Sequence, residues 1–311
     1  MSSIFVFGNF VDDLIDGHQT LGGEGAFVAS ALQILKETTG ADTSYTLAGR
    51  LDTDTSGKFL KSALETLHVD ISKIAIGGTK TCQILVEGVR NGRFIRSNGG
   101  SICAFYREEW ERFREELLQP GWIFFTSNTI KDNQTWEQVQ KILNKSPRIV
   151  FFDINWREHI FARGQLHREK FVEERLVPVL QRAEIIKGTA EEIQQFQYLL
   201  RDLKKSKWII ETMGRHGVCL SRNGEKIFQT APEVEEVQDT GAGDTFSGTF
   251  LFEMTRKNVQ SVDDLVLLSS VEVQQMLQLA CCVASMTVQG FGVEYLEKNR
   301  GRLAGYPKVP L

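Results

Sequence analysis

Short apolar runs rich in β-branched and aromatic residues alternate with amphipathic helical stripes along most of this chain. That alternation limits the folds open to it more than any other feature. Ile4–Phe7 precedes a stripe from Ala26 to Leu35, in which Phe27, Ala31, Ile34 and Leu35 recur at helical spacing. Ser44–Ala48 precedes a helix expected from about Gly57 to Leu67. Trp110, Phe113, Leu117 and Leu118 mark one later helix, and Trp136, Val139, Ile142 and Leu143 another. Trp122–Thr126, Ile149–Asp153, Glu184–Lys187 and Trp208–Glu211 read as strands, with a further stripe through Ile193, Phe196, Leu199, Leu200 and Leu203. Strand-then-helix order builds a mostly parallel central sheet flanked by helices on both faces. The expected class is α/β.

Two regions break the pattern. Asp16–Leu21 and roughly Ala75–Asn98 carry strand-like material with no helix between, including Gln83–Val86 and Arg93–Arg96 around the turn Arg90-Asn91-Gly92. Asn-Gly between extended runs is a strong hairpin signal. Such a hairpin does not join a sheet built from right-handed crossovers easily, so a small separate β-sheet is expected. The division is then 1–13, 23–74 and 99–311 for the main α/β domain, and 14–22 with 75–98 for the small sheet.

At 311 residues the chain can bury a sizeable core. A net charge of −4 with both signs interspersed gives no reason to invoke nucleic acid or a membrane surface as partner. Ile4–Phe7 is too short for a signal peptide and lacks a basic region before it. Five scattered cysteines without a Cys-x-x-Cys make no disulfide framework, and Cys281-Cys282 reads as buried thiol. A cytoplasmic location is the simplest expectation. The Walker lysine loop, His-Glu-x-x-His, Gly-x-Ser-x-Gly and an early Gly-x-Gly-x-x-Gly are all absent.

The chemistry concentrates in Val237-Gln238-Asp239-Thr240-Gly241-Ala242-Gly243-Asp244-Thr245-Phe246. Gly241, Ala242 and Gly243 form a small-residue turn opening a helix, whose free N–H groups and positive dipole end suit an anion. Asp244 in that turn would repel a merely bound anion. It makes sense as a base that takes a proton from a hydroxyl while the N–H groups hold the charge on a transferred group. The acids Asp12-Asp13 lie just beyond the first strand, where open α/β sheets bind ligands and where a carboxylate can accept from neighbouring hydroxyls. Asp54 is assigned to capping the helix near Gly57.

Asp-Thr-Gly-Ala-Gly-Asp-Thr-Phe resembles the C-terminal signature of the ribokinase-like (PfkB) carbohydrate kinases, with one residue fewer between Thr240 and Gly241. Other motifs follow in that family's order, from an aspartate five residues after Gly8 to the C-terminal turn; the resemblance implies that this aspartate, Asp13, accepts from substrate hydroxyls and leaves Asp12 to solvent. Gly22-Gly23-Glu24-Gly25-Ala26-Phe27 resembles its G-G-x-x-A-N, where paired glycines hinge a lid; Phe27 stands where a substrate-contacting asparagine is usual. Gly49–Gly57 resembles its first signature region, with Asp52 replacing a glycine. Asp153-Ile154-Asn155-Trp156-Arg157 resembles the D-x-N-x-R of fructokinases and 2-keto-3-deoxygluconate kinases, which implies that Asn155 and Arg157 face substrate and phosphates. Lys187-Gly188-Thr189-Ala190-Glu191-Glu192 resembles K-x-N-x-x-E, whose glutamate, here Glu192, organises a metal through water; Thr189 replaces the asparagine. Thr212, Gly214 and Gly217 match a turn that lies along nucleotide phosphates, and Cys281 and Gly292 fall where the family flanks adenine.

The resemblance implies an ATP- and Mg²⁺-dependent kinase of a sugar or sugar-like alcohol, with a monovalent cation such as K⁺ as a further allowance. Asp244 would be the base, Gly241–Gly243 the anion hole, and Asp13, Gly22, Gly23, Phe27, Asn155 and Arg157 the substrate side. The small sheet would be a lid and a natural homodimer contact. Two other readings stay open. One is a catalytically inactive nucleotide- or metabolite-binding regulator, motivated by Phe27, Asp52 and Thr189. The other is a kinase of a non-sugar substrate such as a nucleoside.

Overall fold

The computed structural model describes residues 3–78, 80–87, 94–97, 105–156 and 167–305; Arg157 and the turn Arg90-Asn91-Gly92 lie outside them. The strands in chain order are β1 (Ser3–Gly8), β2 (Val11–Ile15), β3 (His18–Gly22), β4 (Ser44–Leu51), β5 (Ala75–Ile76), β6 (Cys82–Glu87), β7 (Phe94–Ser97), β8 (Gly121–Thr126), β9 (Ile149–Asp153), β10 (Ile185–Thr189), β11 (Trp208–Thr212), β12 (Val218–Arg222) and β13 (Glu225–Gln229). The helices are α1 (Glu24–Thr39), α2 (Thr55–Thr66), α3 (Arg107–Leu117), α4 (Asn133–Lys145), α5 (Arg168–Phe171), α6 (Val177–Arg182), α7 (Ala190–Gln195), α8 (Gln197–Leu203), α9 (Ala242–Arg256), α10 (Val262–Leu267), α11 (Ser270–Thr287) and α12 (Gly292–Lys298).

Nine strands form the large sheet in the order β13-β12-β11-β10-β9-β8-β1-β4-β5. All neighbours from β11 to β5 run parallel; only β12 and β13 are antiparallel. The β1 sequence shows why both faces are covered. Ile4 and Val6 enter one core with residues of α1, α9 and α11, while Phe5 and Phe7 enter a second with residues of α3, α4 and α6. Side chains alternate across a strand, so a continuous apolar run feeds two layers at once. No helix among the described residues is long and apolar enough by itself to cross a bilayer.

Neither β12 nor β13 figures among the expected elements. They are joined through Asn223 and Gly224, both at positive φ (47° and 81°), with Arg222 paired to Glu225. That geometry calls for Asn-Gly, the same signal as Asn91-Gly92. An edge position lets an antiparallel hairpin extend a parallel sheet without any crossover.

The small sheet has the order β3-β2-β6-β7, with β2 and β6 parallel and the outer pairs antiparallel. Its edges differ from the expected 14–22 and 75–98. It begins at Val11, and β5 at Ala75–Ile76 pairs with β4 in the large sheet. The chain turns from β1 into β2 at Gly8-Asn9-Phe10. A Cβ on Gly8 would lie 2.4 Å from the Phe10 ring, so the ring can fold back over the strand end only because glycine precedes it.

Asp12 corrects an expectation. It is fully buried, accepting from Gln19 Nε2 (2.9 Å), Gln83 Nε2 (2.9 Å) and Ser56 Oγ (2.5 Å). Adjacent strand residues point to opposite faces, and here the second face is covered by α2. Asp54 caps α2 as expected, accepting from the Gly57 N–H at 2.8 Å, and it also takes the Thr81 N–H and hydroxyl.

Candidate active site

The C-terminal ends of β8 to β11 and the starts of α1 and α9 open onto one cavity of about 340 Å³. Asp153 closes β9, Thr189 closes β10 and Thr212 closes β11, and all three line it. Val11 and Asp13 from β2 and Ile84 and Val86 from β6 add the small sheet to the walls.

At one end stands the start of α9. Gly241 is its N-cap at φ 82°, and no side chain caps the helix. The first-turn N–H groups of an uncapped helix are unsatisfied within the helix and carry its positive dipole end. Gly241, Gly243 and Asp244 all line the cavity. The approach is clamped by Gln238, a buried side chain that accepts from Thr240 N–H (2.8 Å) and donates to the Thr240 carbonyl (3.3 Å).

Lys187 lies beside this turn. A Cβ on Gly243 would be 3.4 Å from its Nζ, so the glycine leaves the ammonium close to the backbone. Lys187 donates to Asp153 Oδ2, with both side chains almost fully buried. Burial works against the charge, but Asp153, then Asp244, and Glu192 as well raise its pKa above the ordinary value, so it stays an ammonium. Glu192 forms a capping box with Thr189 and also accepts from the Trp156 N–H. Burial, with Asp153 nearby, pushes its carboxyl upward. Thr189 therefore serves as a helix cap, a position at which threonine is among the favoured residues though ranked below asparagine.

The other end is built around Asp13, 6% exposed. A Cβ on Gly22 would fall 2.1 Å from Asp13 Oδ2, and one on Gly23 2.2 Å from the Asn9 carbonyl. The glycine pair thus makes room for this chain's own groups. Asn155 sits in the left-handed region at φ 37°, a conformation asparagine tolerates, and its carbonyl accepts from Ser127 Oγ at 2.9 Å. Glu24 accepts from Asn9 Nδ2 (3.0 Å) and from Asn128 Nδ2.

Phe27 joins the two ends. It is 2% exposed and lines the cavity. Its ring would lie 2.4 Å from a Cβ on Gly241 and 2.8 Å from one on Gly292, both at positive φ. Core residue and cavity wall were the two roles open to it, and it has both.

Of the remaining expected residues, Gly22, Ala242, Gly214, Gly217, Cys281 and Gly292 are not part of the cavity lining. Gly22 stands behind Asp13, and Ala242 is flanked by two lining glycines. Gly217, at φ 98°, is closed against the Gln229 carbonyl of β13. Cys281 is a buried thiol pushed up to about 12 by burial, and so is no nucleophile. Arg157 lies outside the described residues. Glu24, Asn128, Asp153 and Asp239 line the cavity without having been assigned to it. Asp153 and Glu24 sat inside quoted motifs, whereas Asn128, two residues beyond a strand, carried only its position as a signal.

Among the described residues no three His, Cys, Asp or Glu side chains are grouped to hold a metal ion. A hard cation here would lean on phosphate oxygens and water, as Mg²⁺ does in phosphoryl-transfer sites.

Comparison with known proteins gives this arrangement its family. An aminoimidazole riboside kinase of Salmonella typhimurium is 25% identical over 280 residues, covering 83% of this chain and 82% of its own. The fold superposes on a fructokinase with bound ATP from Xylella fastidiosa (TM-score 0.77, 20% identity, 95% of this chain and 94% of that one). It also superposes on an aminoimidazole riboside kinase from Salmonella enterica complexed with aminoimidazole riboside and an ATP analogue (TM-score 0.76, 20% identity, 97% and 100%). The model of the pfkB family carbohydrate kinases matches residues 5–299, and the chain belongs to that family.

Proposed function

We propose that this enzyme transfers the γ-phosphoryl group of ATP to a hydroxyl of a small sugar-like or nucleoside-like alcohol bound between Asp13, Asn155 and the small sheet. One observation carries the reading: Asp244 and the uncapped start of α9 open onto the same cavity as Asp13. Asp244 takes the proton of the acceptor hydroxyl. The oxygen forms its bond to phosphorus as the bond to the departing diphosphate breaks. The N–H groups at Gly241–Gly243 hold the equatorial charge, and Lys187, kept cationic by Asp153, adds a fixed positive charge beside Gly243. ATP supplies the phosphoryl group, and a bound Mg²⁺ would supply neutralisation of the phosphate charge, with Glu192 the residue that would hold it through water. Thr212, Gly214 and Gly217 are the proposed phosphate-side contacts, and Cys281 and Gly292 the proposed flanks of the base.

The small sheet is the proposed lid. Ile84 and Val86 present apolar side chains to the cavity, which suits exclusion of water from the transfer. A non-catalytic regulator has less support, because Thr189 caps α7 and Phe27 packs under Gly241, so two of the three departures, Asp52 apart, have structural uses. ATP-dependent phosphorylation of a panel of ketohexoses, pentoses, keto-deoxy acids and ribosides is the test. Stoichiometric product with at least one alcohol is expected. ATP binding with no transfer to any of them would favour the regulator.

A further inference from the structure

Nothing in the proposed reaction uses Glu24. It occupies the first position of α1, is 5% exposed, and lines the cavity near Asp13. Its two oxygens accept from Asn9 Nδ2 and Asn128 Nδ2. An ionised carboxylate only accepts, so this contact fixes the Asn128 amide with its nitrogen toward Glu24. The other amide atom, Asn128 Oδ1, is then an acceptor; it is buried and has no hydrogen-bond partner. Asn128 is itself 7% exposed and lines the same cavity. A buried acceptor left unpaired is costly, and the cost is relieved when a donor arrives.

The charge around the cavity points the same way. Its described lining holds six carboxylates (Asp13, Glu24, Asp153, Glu192, Asp239 and Asp244) against one cation, Lys187. Lys187 is already engaged by Asp153. The corner made by Asp13, Glu24 and Asn128 thus offers acceptors and negative charge. A hydroxyl meets it with one donor and no charge, whereas a protonated amine brings three donors and a positive charge. An acceptor molecule carrying its own carboxylate or phosphate meets repulsion there.

We infer that Glu24 and Asn128 form a specificity subsite that receives a nitrogen donor, an amino or amidine-type group, on the alcohol to be phosphorylated. The inference rests on the proposed kinase reading for the placement of that alcohol, but it concerns binding and is tested apart from turnover. Titration calorimetry with the full chain would compare matched triads that differ in one group: glucosamine, glucose and glucuronate, with the corresponding ribose-based amine, neutral sugar and acid. In at least one triad the amine should bind about tenfold to a hundredfold more tightly than its neutral partner, with the acid weakest. Glu24→Gln, which keeps the shape but removes the charge and one of the two acceptor oxygens, so that one amide neighbour must turn over, should erase most of that preference. Asn128→Leu, tested in parallel, should do likewise and covers the case in which the first variant fails to fold. Amines binding no better than neutral sugars in every triad, or an amine preference that survives both substitutions, would overturn the subsite. Amine binding without any ATP-dependent product would leave the subsite standing and sink the kinase reading instead.

Discussion

The two ends of the cavity handle charge in opposite ways. At the α9 end a cation is set among the acids: Lys187 lies among Asp153, Asp244 and Glu192, and the helix start adds a positive dipole. At the α1 end, Glu24 and Asn128 present acceptors beside Asp13, and the cation of the described lining, Lys187, is engaged elsewhere by Asp153. The first arrangement suits a step common to many substrates, in which negative charge is passed between oxygens and must be balanced throughout. The second suits discrimination, because only a molecule bringing the right donors satisfies it. In the proposed reaction chemistry and choice of substrate fall on different elements, with Phe27 packed where the two meet.

The largest expected effect is at the α9 end. Asp244→Ala should lower kcat by roughly 10²–10⁴-fold through loss of the base, while nucleotide affinity, measured by calorimetry, changes little. Turnover within about tenfold of the parent would assign the proton transfer to another group. Severe loss of nucleotide binding would make Asp244 a structural residue.

Lys187→Met should come next, because it leaves Asp153 buried without its partner. About 3–5 kcal/mol of unfolding free energy should be lost in urea titrations, with most of it recovered when Asp153→Asn is added. The pH dependence has a definite sign. The folded pKa of Lys187 lies above its ordinary 10.5, so the pair's stabilisation is complete below 10.5 and is lost only as pH climbs through the higher folded value. A loss of this stabilisation between pH 7 and 9 would contradict the pairing.

Phe27 ties the ends together, and Phe27→Asn tests that tie. Removing a ring wedged against Gly241 and Gly292 should cost about 3–4 kcal/mol of stability and lower kcat without improving the use of plain fructose or ribose. A stable variant with higher kcat/KM for simple sugars would show that the ring acts only as a pocket wall.

The smallest effect is expected from Asp13→Asn, which keeps the shape and removes a charged acceptor. The KM of the acceptor should rise about tenfold to a hundredfold, matching roughly 1.5–3 kcal/mol for charge-assisted hydrogen bonds, with the KM for ATP unchanged. Equal changes in both would end the separation of the two ends.

The layered α/β fold was legible because strand and helix periods differ and each local stretch declares its own. The run Ile4-Phe5-Val6-Phe7 already signals a strand buried on both faces. Gly241-Ala242-Gly243-Asp244 was legible for a similar reason: a turn, a helix start and an acid are adjacent in the chain, so their relation is local. Asp54 as a cap belongs to the same class.

Whatever joins distant segments was not. Asp12 and Asp13 look equivalent in the chain, yet alternation along β2 sends one under α2 and the other into the cavity. The pairing of Asn128 with Glu24 spans 104 positions, and that of Lys187 with Asp153 spans 34. Glu24 read as part of a glycine-rich helix start until the end of β8 was brought against it. Local order follows from propensity and periodicity, which act over a few residues. Which buried acid meets which donor depends on the register of strands far apart in the chain, and that is fixed only when the sheet closes.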